Sequence, residues 1–275
     1  MKWKVYTGIT LGIILILFTT LIVYFQQDDA EDEILHSSIE ISGKLFTLPS
    51  PIHSFLYLTE NKFNWDGLTE EDPIRDYKYQ SQIALHLGLR ASDGVVHLYT
   101  GELLKAKKDR SDVLHYSNKL GVAPELERSI KKLDLAFIKG ADRDDLVDAI
   151  LNIEIKLESA LRKKGREDLS LLIELGSWLG GLEIVSKGIL RDFKNEHCAV
   201  LRQSHITELS VEILKAVIQK SGDGEETNFL KGLLVYFQNI HIIVDKFDSM
   251  EVTPESVREL SGLAREARIY LENAK

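Results

Sequence analysis

The chain is poor in cysteine, proline and positive charge, and each shortage excludes something. One cysteine, Cys198, stands among 275 residues. It can form no intrachain disulfide and no thiolate-rich metal site. An exported protein with a large enough core does without disulfides, so the compartment stays open on this point. His197 precedes Cys198, but adjacent helical residues point about 100° apart and do not form a nucleophile–base pair. A small buried hydrophobe is the plainer reading of Cys198. Five prolines and 18 glycines are too few for a disordered or fibrous chain. No alternating strand run with hairpin chemistry stands out, which excludes a β fold. No His-Glu-x-x-His pair and no glycine-rich phosphate loop occurs, so neither a metal nor a cofactor is expected, and catalytic residues stay unassigned.

Lysine and arginine number 34 against 43 acids, for a formal charge of −9. Such a surface repels nucleic acid unless a basic patch is segregated on it. The densest basic run is Lys105, Lys107, Lys108 and Arg110. Acids flank it on both sides and no aromatics interleave, so it reads as a solvated helix face, and no nucleic-acid partner is expected.

The first 25 residues carry a long hydrophobic run. Residues 5–25 contain no charge and at about 1.5 Å per residue span about 32 Å, the thickness of a hydrocarbon core. Lys2 and Lys4 precede the run, and Asp28, Asp29, Glu31, Asp32 and Glu33 follow it. The positive-inside rule then places the lysines in the cytoplasm and the rest of the chain outside, with the cell membrane as a partner through residues 5–25. Trp3, Tyr6 and Tyr24 sit at the interfacial depths. A cleaved signal peptide is the rival reading. It usually has an apolar region of about 7–15 residues and a small-x-small site, and this segment has neither. The domains expected are an anchor at 1–25, an acidic juxtamembrane linker with a short helix at 26–48, and a helical domain at 49–275.

Beyond Pro49-Ser50-Pro51 the helical signal is nearly continuous. Ser50 suits an N-cap and Pro51 a first helical position, so 52–59 reads as a helix. Residues 61–77 lack a period and read as loop. Eight further helices are expected at 79–100, 102–120, 124–140, 142–164, 168–190, 198–220, 227–247 and from 253, closed by glycines or opened by caps such as Thr253 before Pro254. Short connections predict an all-α, antiparallel multi-helix bundle.

An internal echo links the first and fifth of these helices. Leu-His-Leu-Gly-Leu-Arg-Ala-Ser-Asp-Gly at 85–94 aligns with Ile-Glu-Leu-Gly-Ser-Trp-Leu-Gly-Gly-Leu at 173–182. Two diverged four-helix repeats would produce it, and so would convergence of two central helices on small residues. Either way Gly88, Ser92, Gly176 and Gly180 are expected at a close crossing, because glycine weakens a helix by about 1 kcal/mol and needs a packing reason. These two blocks, with the Pro-Ser-Pro start, resemble an uncharacterised family of bacterial exported helical proteins. In that family the blocks commonly read Asn-Leu-Gly before Ala-Asp-Gly, and Leu-Gly-Gly-Trp-Leu-Arg-Gly. This chain departs from them at His86, Ser92, Ser177 and Gly180. The resemblance covers about residues 48–190 and implies a helical fold and a bacterial envelope location; with the anchor at 1–25, the expectation is the inner membrane with the bulk of the chain periplasmic. It implies no activity.

One polar constellation stands out. His86, Arg90, Asp93 and His97 fall at i, i+4, i+7 and i+11, on one stripe of an otherwise apolar helix. His86 and His97 are about 16 Å apart and cannot share a metal. Glu183 follows Gly176 and Gly180 on one face of the fifth long helix and is the expected interhelical partner of Arg90. A polar cleft at Arg90, Asp93, His97 and Glu183 is one reading, and a self-satisfied buried stripe is the other. The functional expectation is a binding or scaffolding module with an envelope protein partner. The alternatives are a small-ligand sensor domain, or an enzyme using the His/Asp/Glu cleft.

Overall fold

The computed structural model describes residues 39–41, 44–46, 48, 50–69, 73–141 and 143–274. The expected anchor at 5–25 and most of the acidic linker lie outside these residues. Residues 38–275 form one compact unit.

The described chain is all-α apart from one small hairpin. Strands β1 (Ile39–Ile41) and β2 (Lys44–Phe46) pair antiparallel, Ile41 opposite Lys44. This corrects the expectation of a short helix within 34–48. Ile39, Glu40 and Ile41 alternate apolar and polar, as a strand does. A three-residue strand is too short for periodicity to reveal.

Nine α-helices follow among the described residues: α1 (Ile52–Glu60), α2 (Gln80–Thr100), α3 (Leu103–Lys119), α4 (Ala123–Ile138), α5 (Arg143–Lys163), α6 (Glu167–Arg191), α7 (Ser204–Ser221), α8 (Glu225–Ser249) and α9 (Pro254–Asn273). The helix expected at 198–220 begins later than its sequence suggests. A separate 3-10 turn occupies His197–Leu201, and the chain breaks before Ser204. The break frees Gln203 to accept from Trp178 Nε1 of α6 at 3.3 Å and to donate to Ser54 of α1 at 3.1 Å. Thr253 caps α9 in a reciprocal capping box with Ser256, satisfying two end donors at once.

Contacts between α2 and α6 run in the same order along both helices, Leu85 with Gly176 and then Leu89 and Ser92 with Gly180, so the two point the same way. The two cross at the centre of the bundle and bury most of the residues they carry. Among the described residues α6 is also the one helix long and apolar enough to cross a membrane. Here it is the innermost core helix, which meets that criterion for a different reason. A Cβ built on Gly88 would lie 2.0 Å from the Ile173 carbonyl oxygen, and one on Gly176 would lie 2.0 Å from that of Leu85. Ser177 Oγ donates to the Gly88 carbonyl at 3.1 Å, and Ser92 Oγ donates to that of Ser177 at 2.6 Å. Gly180 sits beside Leu89 and Ser92. All four small residues therefore lie at the crossing. The contact is reciprocal, but it does not extend into a repeat. α3 packs along α2, whereas α7 meets α6 only slightly.

Candidate functional site

Gly101 closes α2 in the left-handed conformation, φ 72°, and the amides of Gly101 and Glu102 return to the carbonyls of Leu98 and His97. This turn lays α3 back along α2. Asp109, Asp112 and Tyr116 recur at i, i+3 and i+7 on α3, so they share one face, and all three are buried. That face meets the polar stripe of α2. His97 Nδ1 lies 2.5 Å from Asp109 Oδ2, and its Nε2 lies 2.6 Å from the Thr69 hydroxyl. With Asp109 as acceptor, Nδ1 carries a proton. His86 is stacked on Tyr77, ring centroids 3.9 Å apart.

Arg90 Nη1 donates to Asp93 Oδ2 at 3.2 Å. Arg268 of α9 bonds the same oxygen through Nη2 at 3.1 Å, Glu183 through Nη1 at 3.1 Å and Glu272 through Nε at 3.2 Å. The expected direct pair of Arg90 with Glu183 is thus replaced by a relay, Arg90–Asp93–Arg268–Glu183. Glu183 also faces Arg265 at 3.8 Å. Position on the glycine-lined face of α6 located Glu183 correctly, but α9 reaches it, a helix that the α2 and α6 motifs cannot announce. Burial pushes the Asp93 carboxyl up, opposed by Arg268 and Arg90. Burial also pushes up Asp112, against which Lys108 stands 3.8 Å away. This layer is buried, linked by ion pairs and shared by four helices. Asp109, Asp112, Arg268 and Glu272 were missed in the sequence. The signal for Asp109 and Asp112 was their spacing with Tyr116, hidden inside a helix that reads as basic and solvated.

Beside the layer a cleft of about 380 Å³ opens between the α4–α5 hairpin and the helices α1, α2, α3 and α6. Its floor is Leu87, Ala91, Val95 and Leu98 of α2 with Ile173 of α6. Phe55 of α1, Val113 of α3, Ile130 and Phe137 of α4, and Ile153 and Leu157 of α5 form apolar walls. Of the four residues expected to line a polar cleft, Arg90 alone borders this one. Asp93, His97 and Glu183 stay within the ionic layer. Asp109 borders both.

Glu154 of α5 enters the cleft half-buried, and the Ser50 hydroxyl donates to it at 3.3 Å. Ser50 Oγ also accepts from the Ile52 amide at 3.4 Å, but Pro51, not Ser50, is the N-cap of α1, and no side chain caps this helix. Burial lifts the Glu154 carboxyl to about 7, opposed by Ser50. Glu174 of α6 stands behind it, raised to about 8 by burial and then by the charges of Glu158 and Glu154. Glu174 was visible in the sequence as one acid inside the apolar run 171–182 and was not singled out.

No family model matches the chain, and no curated protein or solved structure matches it. The site therefore speaks through its own chemistry. Among the described residues no three His, Cys, Asp or Glu side chains converge as a metal site. Cys198 is buried, its thiol pushed up by burial and donating to the Lys194 carbonyl at 3.4 Å. Both ring nitrogens of His97 are engaged and the ring is buried, so it faces no open volume in which to move a substrate's proton. What the geometry offers is an apolar recess with a few polar groups at fixed positions.

Proposed function

We propose that this chain is a ligand-binding module of the bacterial envelope, and that the cleft beneath the α4–α5 hairpin is its binding site. The observation that carries the reading is the cleft itself. Its volume falls in the range of about 300–1,000 Å³ typical of small-molecule sites, and its lining is apolar with few polar groups, as such sites usually are. The ionic layer beside it supplies rigidity. Buried charges held by several helices fix the floor against which a ligand would rest.

The location belongs to the same proposal. An uncharged segment at 5–25 with lysines before it and acids after it supports a single-pass anchor in the inner membrane with the helical domain on the periplasmic side. The resemblance of residues 48–190 to exported helical proteins points the same way. A module so placed captures its ligand next to the bilayer.

The test is native mass spectrometry of the full chain gently extracted from its own membranes, beside an Ala91→Phe variant that fills the floor of the cleft. The expected result is an apolar small molecule on the native protein and none on the variant. A native protein with no added mass, which also binds no apolar probe that the variant fails to bind, would rule the cleft out.

A further inference from the structure

The charged groups around the cleft differ in how they are compensated. Arg90 is paired with Asp93 at 3.2 Å, Asp109 with His97 at 2.5 Å, and Arg110 with Asp134. Lys107 is exposed at the rim, where solvent screens it. Glu154 is the exception. Its hydrogen bond comes from a neutral hydroxyl, and no cation faces it among the described residues. The groups behind it are acids as well, Glu158 one turn away on α5 and Glu174 on α6. Arg162 of α5 pairs with Glu158. The walls around Glu154 are otherwise apolar: Ile150, Ile153 and Leu157 on its own helix, Ile173 opposite.

We propose, resting on the cleft as the binding site, that the ligand is a single-chain amphiphile with a protonated amine head, its ammonium seated against Glu154 and its chain laid along Leu87, Ala91 and Val95. An ammonium carries three donors and no acceptor, which matches a carboxylate with a serine oxygen beside it. The charge-assisted bond it forms is about twice as strong as a neutral one. A carboxylate or phosphate head would bring negative charge against the Glu154 carboxylate, which costs affinity. A neutral head gains the chain contacts but leaves Glu154 without a counter-ion. The apolar floor takes the alkyl chain by burial alone.

The experiment titrates the full chain, held in nanodiscs of zwitterionic lipid, with octylammonium, octanoate and octanol at neutral pH, using empty nanodiscs as the blank. Octylammonium is expected to bind at least about tenfold more tightly than octanoate. Glu154→Gln should remove that advantage while leaving octanol binding within about twofold, which shows that the variant keeps its cleft. Ser50→Ala should weaken the amine by a smaller factor of about three, so the assignment does not hang on one variant. Octanoate binding as tightly as the amine, or amine binding unchanged in Glu154→Gln, would overturn the amine assignment. If the amine shows no advantage, but octanol or octanoate binds and Ala91→Phe abolishes that binding, the cleft stands and the amine assignment alone falls. If none of the three binds, both readings fall together.

Discussion

Gly88 and Gly176 are locked in a reciprocal contact: each occupies the space that a side chain would need, against a carbonyl oxygen of the other's helix. Neither obstacle is the tip of a flexible side chain, so the backbones must separate to admit even a methyl group. Gly88→Ala and Gly176→Ala should each destabilise the domain by about 3 kcal/mol, at the upper end of overpacking costs. Gly180→Ala meets Leu89 and Ser92 side chains at 3.2 Å and should cost about 1 kcal/mol. Chemical denaturation of the three variants reads the order directly. Equal midpoints for Gly176→Ala and Gly180→Ala would contradict it.

Arg268 joins three carboxylates, Asp93, Glu183 and Glu272, on three helices. Removing it strands buried charge, which costs about 3–5 kcal/mol when one member of a buried pair is lost. Arg268→Met should therefore be more damaging than Arg90→Met, whose loss leaves Asp93 still held by Arg268. Double-mutant cycles separate the pairs. Arg268→Met with Glu183→Gln should couple by about 1 kcal/mol or more beyond Arg90→Met with Glu183→Gln, because the second pair communicates only through the relay. The reverse order of coupling would restore the direct pair that position alone suggested.

Helices and close crossings were legible in this sequence because both leave local marks. Caps, closing glycines and 3.6-residue periodicity placed eight of the nine helices near their observed bounds, the exception being α7, which starts at Ser204 rather than at 198, and paired small residues located the α2–α6 contact. The hairpin at 39–46 was not legible as structure, since three residues per strand hold no measurable period. The ionic layer was half legible. The stripe on α2 and Glu183 on α6 announced buried polarity, but their partners Asp109 and Arg268 come from helices that read as ordinary solvated ones. A charged residue's burial is set by what packs over it, and that is a property of topology. The cleft was not legible at all, for it is made where the α4–α5 hairpin stands off from the core.

The proposed anchor makes a prediction about the mature chain. The apolar run at 5–25 is longer than a typical signal peptide's and lacks a small-x-small site after it. Mass spectrometry of the protein from native membranes should find the segment retained, and protease added to spheroplasts should digest the helical domain from outside. An N-terminus beginning just after residue 25, or a domain shielded until the cells are lysed, would show instead a released or inward-facing protein.

Stability should fall as pH rises from mildly acidic to mildly alkaline. Glu154 and Glu174 have ordinary values near 4.5 and are raised to about 7 and about 8 in the fold. Between 4.5 and 8 the folded chain therefore holds protons that the unfolded chain has released. Unfolding then loses protons, so its free energy drops with each step up in pH. The benefit is complete below about 4.5 and gone once pH passes the folded values. Asp93 and Asp112, also raised by burial, act in the same direction. Asp76, Glu127, Asp192 and Glu225 are held down by lysines at the surface and act in the opposite sense, but only where carboxylates titrate near their ordinary range, below this window. The melting temperature should accordingly be higher at about pH 5.5 than at about pH 8.5, and the Glu154→Gln, Glu174→Gln double variant should remove most of the difference. Because Glu154 lies on α5 and Glu174 on α6, which pack together, the loss on the alkaline side should begin there. Hydrogen exchange in α4 and α5 should speed up before that in α2 and α6. A double variant with the native pH profile, or exchange that accelerates uniformly across the bundle, would place the titrating groups elsewhere.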